Sequence, residues 1–254
     1  MVHVDQVAAN RIEIDQYANE GFLTASSVLS PPELELMRRA ADDVLALCAA
    51  DPERYAGRIE WEKDHLDPSH RDGMDRVIRK LEPVSDISPV FARYAQHAGI
   101  VNPVKQILGG EVELFEDKLN LKLPGGSPYP WHQDWNCCWR AHTDELVTCF
   151  IYLDDADADM GCLQVIPQSH QGKPMLPFKD GGHFEIDPDH VPAERAIPVP
   201  LKAGGMIFFD PYLLHYSDLN RSSKPRRTII YTYNPARFGK INEGRFPHDT
   251  TGVA

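Results

Sequence analysis

Residues 111–135 read EVELFEDKLNLKLPGGSPYPWHQDW. Leu119, Leu121 and Leu123 alternate with Lys118, Asn120 and Lys122, the period of two that marks a β-strand with unlike faces. Pro124-Gly125-Gly126 ends the strand, since such a cluster punctuates regular structure. His132 and Asp134 then stand two residues apart. In extended chain that spacing puts both side chains on one face, within reach of a single metal ion. One further histidine would complete a facial set of two imidazoles and a carboxylate. Such a set leaves half of an octahedron open and suits ferrous iron.

Downstream of this stretch, 146–153, 162–166, 206–209 and 227–233 are further apolar, β-rich runs, and Gly204-Gly205 makes a turn before one of them. Upstream, the chain looks helical. Ser30 precedes Pro31 and stands three before Glu33, the pattern of a capping box, and Leu34, Met37, Ala41, Val44, Leu45 and Cys48 follow at helical spacing. Ser88-Pro89 and Asn102-Pro103 read as two more helix starts, and Gly109-Gly110 as a stop. Residues 51–76 are charged and aperiodic, an expected exposed loop. Residues 170–200 are irregular and proline-rich, as a lid over a site would be. We therefore expect one domain over 1–254. It has a helical region at about 30–108, strands at about 111–236 and a lid-like loop at about 170–200, in a mainly β or α+β fold.

Composition excludes several classes. With 42% hydrophobic and 25% charged residues the chain is globular rather than disordered. Apolar runs such as Phe150-Ile151-Tyr152-Leu153 are too short to cross a bilayer. The start MVHVDQVAANRIEIDQ lacks the apolar core of a signal peptide. A net charge of -12 disfavours nucleic acid as a partner. Five cysteines, an odd number without paired spacing, point to reduced thiols and the cytoplasm.

His-x-Asp alone is weak in a chain with 11 histidines, and His3-Val4-Asp5 and His65-Leu66-Asp67 share the spacing. The first lies at a terminus, and the second runs into Pro68 within the charged segment. His132-Gln133-Asp134 instead follows a strand and a turn, among Tyr129, Trp131, Trp135 and Trp139. Trp135 and Trp139 read as core, or else as pocket wall. Phe208-Phe209-Asp210-Pro211 ends a strand, His215 follows, and eleven residues later comes Arg226. Its planar fork suits a carboxylate; the plainer reading of Arg226-Arg227 is a solvated pair on an edge strand. His183 and His190 read as surface residues, and Cys137-Cys138 as thiols of no assigned role.

Taken together, the sequence resembles the phytanoyl-CoA dioxygenase family of Fe(II)- and 2-oxoglutarate-dependent oxygenases. Five stretches carry the likeness in order: GFLTASSVLSPPEL (21–34), LNLKLPGG (119–126), WHQDW (131–135), MGCLQVIPQSH (160–170) and HYSDLNRSSKPRR (215–227). The likeness covers roughly residues 15–236. Where the family commonly has Asn-Gly-Cys-Leu and Pro-Gly-Ser-His, this chain has Met160 and Gln168, which suggests altered turns.

The resemblance implies a double-stranded β-helix, a jelly-roll cupin-like barrel flanked by helices. It implies His132, Asp134 and His215 as iron ligands and Arg226 as partner of the distal carboxylate of 2-oxoglutarate. Ser217, Asn120 and Lys122 become further cosubstrate contacts by position. For Asn120 the strand pattern alone permits either this or an exposed face shared with Lys118 and Lys122. Dioxygen would be the oxidant and a small molecule the substrate, with succinate and carbon dioxide released. A carboxylate at Asp134 favours hydroxylation or desaturation over halogenation, since the family's halogenases carry a small residue there. The alternative is a cupin-like hydrolase or isomerase that does not use 2-oxoglutarate and has no need of Arg226. The sequence identifies neither the substrate nor the oligomeric state.

Overall fold

A computed structural model describes residues 11–66, 69, 71–139, 143–181 and 185–241. His3, Asp5, Asp67, Pro68 and His183 lie outside the described residues, as do the side chains of Cys137 and Cys138. In chain order the elements are α1 (Arg11–Glu20), β1 (Phe22–Ala25), α2 (Pro31–Ala50), β2 (Ile59–Trp61), β3 (Ile78–Leu81), α3 (Pro89–Tyr94) and α4 (Ala98–Leu108). Then come β4 (Val112–Lys122), β5 (Tyr129–His132), β6 (Val147–Tyr152), β7 (Leu163–Val165), β8 (Ile197–Val199), β9 (Met206–Phe209), β10 (His215–Ser217) and β11 (Arg226–Pro235).

The strands form two antiparallel sheets, ordered β1-β9-β6-β11-β4-β3-β2 and β5-β10-β7-β8. This mainly β architecture is the jelly roll expected. The larger sheet is buried on both faces. On one, Leu119, Leu121, Cys149, Ile151, Phe208, Ile229 and Tyr231 pack against Met37, Ala41, Val44, Phe91, Ile100 and Val104 of the helices. Each fully buried large apolar side chain there contributes about 1.5–3 kcal/mol. Tyr231 and Tyr233 donate their hydroxyls to the carbonyls of Phe91 and Ala95 at 2.9 and 2.8 Å, pinning α3 to the sheet. On the opposite face, Phe22, Tyr152, Ile207 and Phe209 meet Leu163, Val165 and Val199 of the smaller sheet. That apolar seam closes one part of the space between the sheets.

Local chemistry explains most element ends. The Glu33 carboxylate accepts from the backbone N–H and hydroxyl of Ser30 at 2.9 and 2.6 Å, starting α2 as its spacing requires. Ser88 Oγ accepts from the Phe91 N–H at 3.3 Å at the start of α3. Helix α4 begins a turn earlier than Asn102-Pro103 suggests. His97 Nδ1 accepts from the Gly99 N–H at 3.2 Å, and Pro103 lies buried inside the helix. An interior proline costs about 3 kcal/mol, which the burial of Ile100, Val101 and Val104 opposes.

Two expectations are corrected. Residues 51–76 are not simply an exposed loop: they contain β2, and Glu62 is buried. Arg79, on the neighbouring β3, binds Glu60 and Glu62 at 3.2 and 3.4 Å, so charges there satisfy one another instead of facing water. Residues 170–200 contain β8. Their Leu176, Phe178, Ile186 and Val191 pack with Trp131, Ile166 and Leu214 on the outer face of the smaller sheet. The described part thus buttresses that sheet from behind, away from the space between the sheets. Separately, Gln168 adopts φ +67°, the left-handed region natural to glycine. The turn is held by Gln168 N–H and Nε2 donating to Glu20 O and Oε1.

Candidate active site

Antiparallel pairing places His215 directly opposite His132, at the ends of β10 and β5, with ring centroids 4.0 Å apart. Asp134 follows β5 by two residues, and its Oδ1 lies 3.7 Å from Nε2 of each histidine. The three are buried, and their potential ligand atoms all lie within 4.8 Å of one another. His132 Nδ1 donates to Pro130 O at 2.7 Å and His215 Nδ1 to Leu213 O at 3.0 Å. A carbonyl only accepts, so each Nε2 presents a lone pair to the shared centre. Burial lowers both pKa values, and mutual repulsion with His215 adds to this at His132. Neutral imidazoles are what a metal requires. His215 Nε2 is buried without a hydrogen-bond partner; a divalent ion held by this donor set would satisfy it. The residues therefore fit iron.

Their surroundings are fixed as well. Thr148 Oγ1 donates to Asp134 Oδ2 at 3.1 Å. Gln133 Nε2 donates to Tyr212 O at 2.8 Å and Pro174 O at 3.1 Å, tying the β5 end to the loop before β10. Beyond Asp134 the chain makes a π-helix, Trp135–Trp139, rather than more strand. Trp135 stacks on Tyr212 and Trp139 packs with Phe115 and Leu146. Neither lines the cavity between the sheets, so both are packing residues.

That cavity is walled by His132, Asp134, His215, Asn120, Ser217 and Arg226, with Lys80, Glu82, Glu116, Lys118, Tyr129, Phe150, Leu163 and Tyr216. The alternation of β4 thus resolves in favour of an inward face: Asn120 is buried, not exposed. Arg226 belongs to the central strand of the sheet, not an edge. It is buried at 3% exposure, and its Nε and Nη1 have no hydrogen-bond partner. Arg227, of opposite parity, is held outside by Asp154 and Asp42. A buried guanidinium with two nitrogens unsatisfied is costly unless an anion joins it. The Tyr129 hydroxyl, Asn120 Oδ1 and Thr228 Oγ1 are likewise unpartnered.

Lys122 stands behind this wall rather than on it. Its Nζ donates to Ser217 Oγ at 2.7 Å, Ser217 O at 3.1 Å and Asp218 O at 2.5 Å. Burial, then the guanidiniums of Arg226 and Arg79, push its pKa down to about 5. Of the other histidines, His65 binds Glu60 and His190 binds Asp187, both away from the cavity. Sequence reading missed Thr148, Tyr129, Lys80, Glu82, Glu116 and Lys118; the parity of 116, 118, 120 and 122 was the available signal for two of these.

Comparison with known proteins agrees with this geometry. The family model for phytanoyl-CoA dioxygenase (PhyH) matches residues 17–228. The chain belongs to the phytanoyl-CoA dioxygenase family. It is similar to the methylphosphonate hydroxylase of Gimesia maris, with 28% identity over 91% of this chain and 83% of the relative. It is 30% identical to the ectoine dioxygenase of Halomonas elongata over 87% of this chain and 69% of the relative. The crystal structure of EctD from S. alaskensis with 2-oxoglutarate and 5-hydroxyectoine shares the fold, with a TM-score of 0.71 and 22% identity over 93% and 79% of the chains. As a phytanoyl-CoA dioxygenase family member, the protein is a non-haem iron and 2-oxoglutarate-dependent oxygenase. Among the described residues no helix is long and apolar enough to cross a membrane.

Proposed function

We propose that the protein hydroxylates an unactivated C–H bond of a small-molecule metabolite, consuming 2-oxoglutarate and dioxygen. The carrying observation is Arg226, whose Nε and Nη1 lack partners, in the same cavity as His132, Asp134 and His215. A metalloenzyme of the hydrolase or isomerase kind has no use for that arginine. The relatives' names also support small polar substrates: methylphosphonate, ectoine and L-proline.

In this reading His132, Asp134 and His215 would hold ferrous iron, and the iron with 2-oxoglutarate would supply the electrons that activate dioxygen, the oxidant, toward a C–H bond. One oxygen atom ends in succinate and the other in the product alcohol, with carbon dioxide released. Arg226 would bind the distal carboxylate through its unpartnered Nε and Nη1. Asn120 and Ser217 line the cosubstrate's path, and Lys122 steadies Ser217 from behind. The two carbonyls on Nδ1 and the Thr148 hydroxyl on Asp134 keep the donor atoms aimed. Phe150 and Leu163 give the centre an apolar side that excludes water.

We also read 1–254 as one oxygenase domain, because helices α2 to α4 bury their apolar faces on the large sheet. The unpaired buried thiols of Cys48, Cys149 and Cys162 support a reducing, cytoplasmic setting. The acidic balance, -12, supports a partner other than nucleic acid. The test is anaerobic addition of Fe(II) and 2-oxoglutarate. A visible charge-transfer band and, with oxygen, succinate release are expected; a colourless protein without turnover refutes the reading.

A further inference from the structure

The inner face of β4 does not stop at the cosubstrate end. Toward the start of the strand, Lys118 and Glu116 follow Asn120 with the same parity, and β3 sets Lys80 beside Asn120. Residues rise about 3.4 Å each, so Lys118 stands roughly 14 Å along the strand from Lys122 and its partner Arg226. The metal set lies at this end: Thr148, which holds Asp134, pairs with Thr232, and Thr232 pairs with Glu116. A molecule resting on Lys118 would therefore lie beside the metal ligands, with Lys80 level with Asn120 and about 7 Å along the strand from Lys122, the partner of Arg226.

Both lysines have hydrogen-bonding capacity left over. An ammonium carries three N–H donors. Lys118 Nζ meets Glu116 Oε1 at 2.6 Å; Lys80 Nζ meets Glu60 Oε2 at 2.8 Å and Glu82 Oε2 at 3.2 Å. Their side chains remain 16% and 25% exposed, and both line the cavity. Burial opposes the charge on Lys118, but the carboxylates of Glu116, Glu82 and Asp134 outweigh it and keep the ammonium protonated. The flanking glutamates hold these ammoniums charged and in place without consuming every donor. A hydrocarbon chain laid on this wall would desolvate four charged groups and return no hydrogen bond.

We propose that Lys80 and Lys118 form an oxyanion subsite, and that the substrate is a small molecule carrying a carboxylate or phosphonate group beside the C–H that reacts. This rests on the oxygenase reading above. The test uses anaerobic protein loaded with Fe(II) and saturating 2-oxoglutarate, so that Arg226 is already occupied. It is titrated calorimetrically with acetate and acetamide, L-proline and L-prolinamide, and methylphosphonate and dimethyl methylphosphonate. At least one charged member should bind about tenfold or more tighter than its neutral counterpart. The pair that separates identifies carboxylate or phosphonate.

Lys80→Gln and Lys118→Gln should each weaken that binding about tenfold while the chelate band is unchanged. Lys118→Arg, which keeps the charge, should stay within about threefold of the parent. Should Lys118→Gln fail to fold once Glu116 loses its cation, Lys80→Gln on the more exposed rim decides. Equal binding of charged and neutral probes, no binding of any probe, or lysine variants that bind like the parent would overturn the proposal. Absence of the chelate band in the unaltered protein is a separate result: it overturns the oxygenase reading, and this subsite with it.

Discussion

The hydroxyl of Thr148 donates to Oδ2 of Asp134, and this turns Oδ1 of the same carboxylate toward both histidine Nε2 atoms at equal distances of 3.7 Å. Thr148 is fully buried on β6 and its Oγ1 also lies 3.4 Å from Thr232 Oγ1. Thr148→Val keeps the shape and removes the donor. Supporting contacts of this kind are worth about 10- to 100-fold in metal affinity, so Fe(II) binding, followed by chelator competition, should weaken by that amount. Thr148→Ser should recover most of it.

Arg226→Ala removes the guanidinium whose Nε and Nη1 have no protein partner. Losing one side of a buried, hydrogen-bonded charge pair costs 2–5 kcal/mol, so the 2-oxoglutarate concentration for half-saturation should rise about 100-fold. Iron affinity without 2-oxoglutarate should hold, because Arg226 is not among the metal-ligating residues. Equal losses in both titrations would remove Arg226 from its assigned role.

Lys122 supplies a pH-dependent test. Burial and two guanidiniums push its pKa down to about 5, so near neutral pH the empty cavity leaves it uncharged. Three oxygen acceptors surround its Nζ, and only the ammonium has three N–H to give them. A dicarboxylate on Arg226 offsets the repelling charge and raises the pKa. Binding of 2-oxoglutarate at pH 7–8 should therefore take up as much as about one proton. Calorimetry in buffers of different ionisation enthalpy reads this, and Lys122→Met should abolish it. In the folded protein without cosubstrate, this depressed pKa lowers stability as pH falls below the unfolded lysine's range.

Gly161 has φ +64°, and a Cβ built there would lie 2.2 Å from the carbonyl oxygen of Asp218. The same carbonyl accepts from Lys122, so the glycine lets the turn before β7 close onto the end of β10. Gly161→Ala should destabilise by roughly 2–3 kcal/mol through left-handed strain and the backbone clash. The change is measurable as a lower urea midpoint.

What the sequence revealed was local or periodic. Ser30 and Glu33 act within one turn, so their pattern predicts their bond. His132 and Asp134 share a face because a strand has period two. Met206–Phe209 is apolar throughout because both of its faces are buried. The hidden parts depend on partners far along the chain. Ile59–Trp61 reads as charged and irregular because Glu60 is neutralised by Arg79 and Lys80 of the neighbouring strand. His97 starts α4 through its ring, a cap that the Asn102-Pro103 pattern conceals. Thr148 is an ordinary strand threonine until β6 is placed next to Asp134. Likewise Lys118, Asn120 and Lys122 have the pattern of a solvent-facing row, and only the second sheet shows that Lys118 and Asn120 face a cavity while Lys122 is buried behind its wall.

The two-faced burial of β4 and β11 sorts their side chains by consequence. Odd positions such as Leu119, Leu121, Ile229 and Tyr231 rest on helices, whereas even ones such as Lys118, Asn120 and Arg226 meet the cavity. Along these strands, fold hardness and chemical selectivity are written in alternate letters of the same text. An engineer can therefore randomise one register to retune which compound is accepted, and separately revise the other to withstand heat.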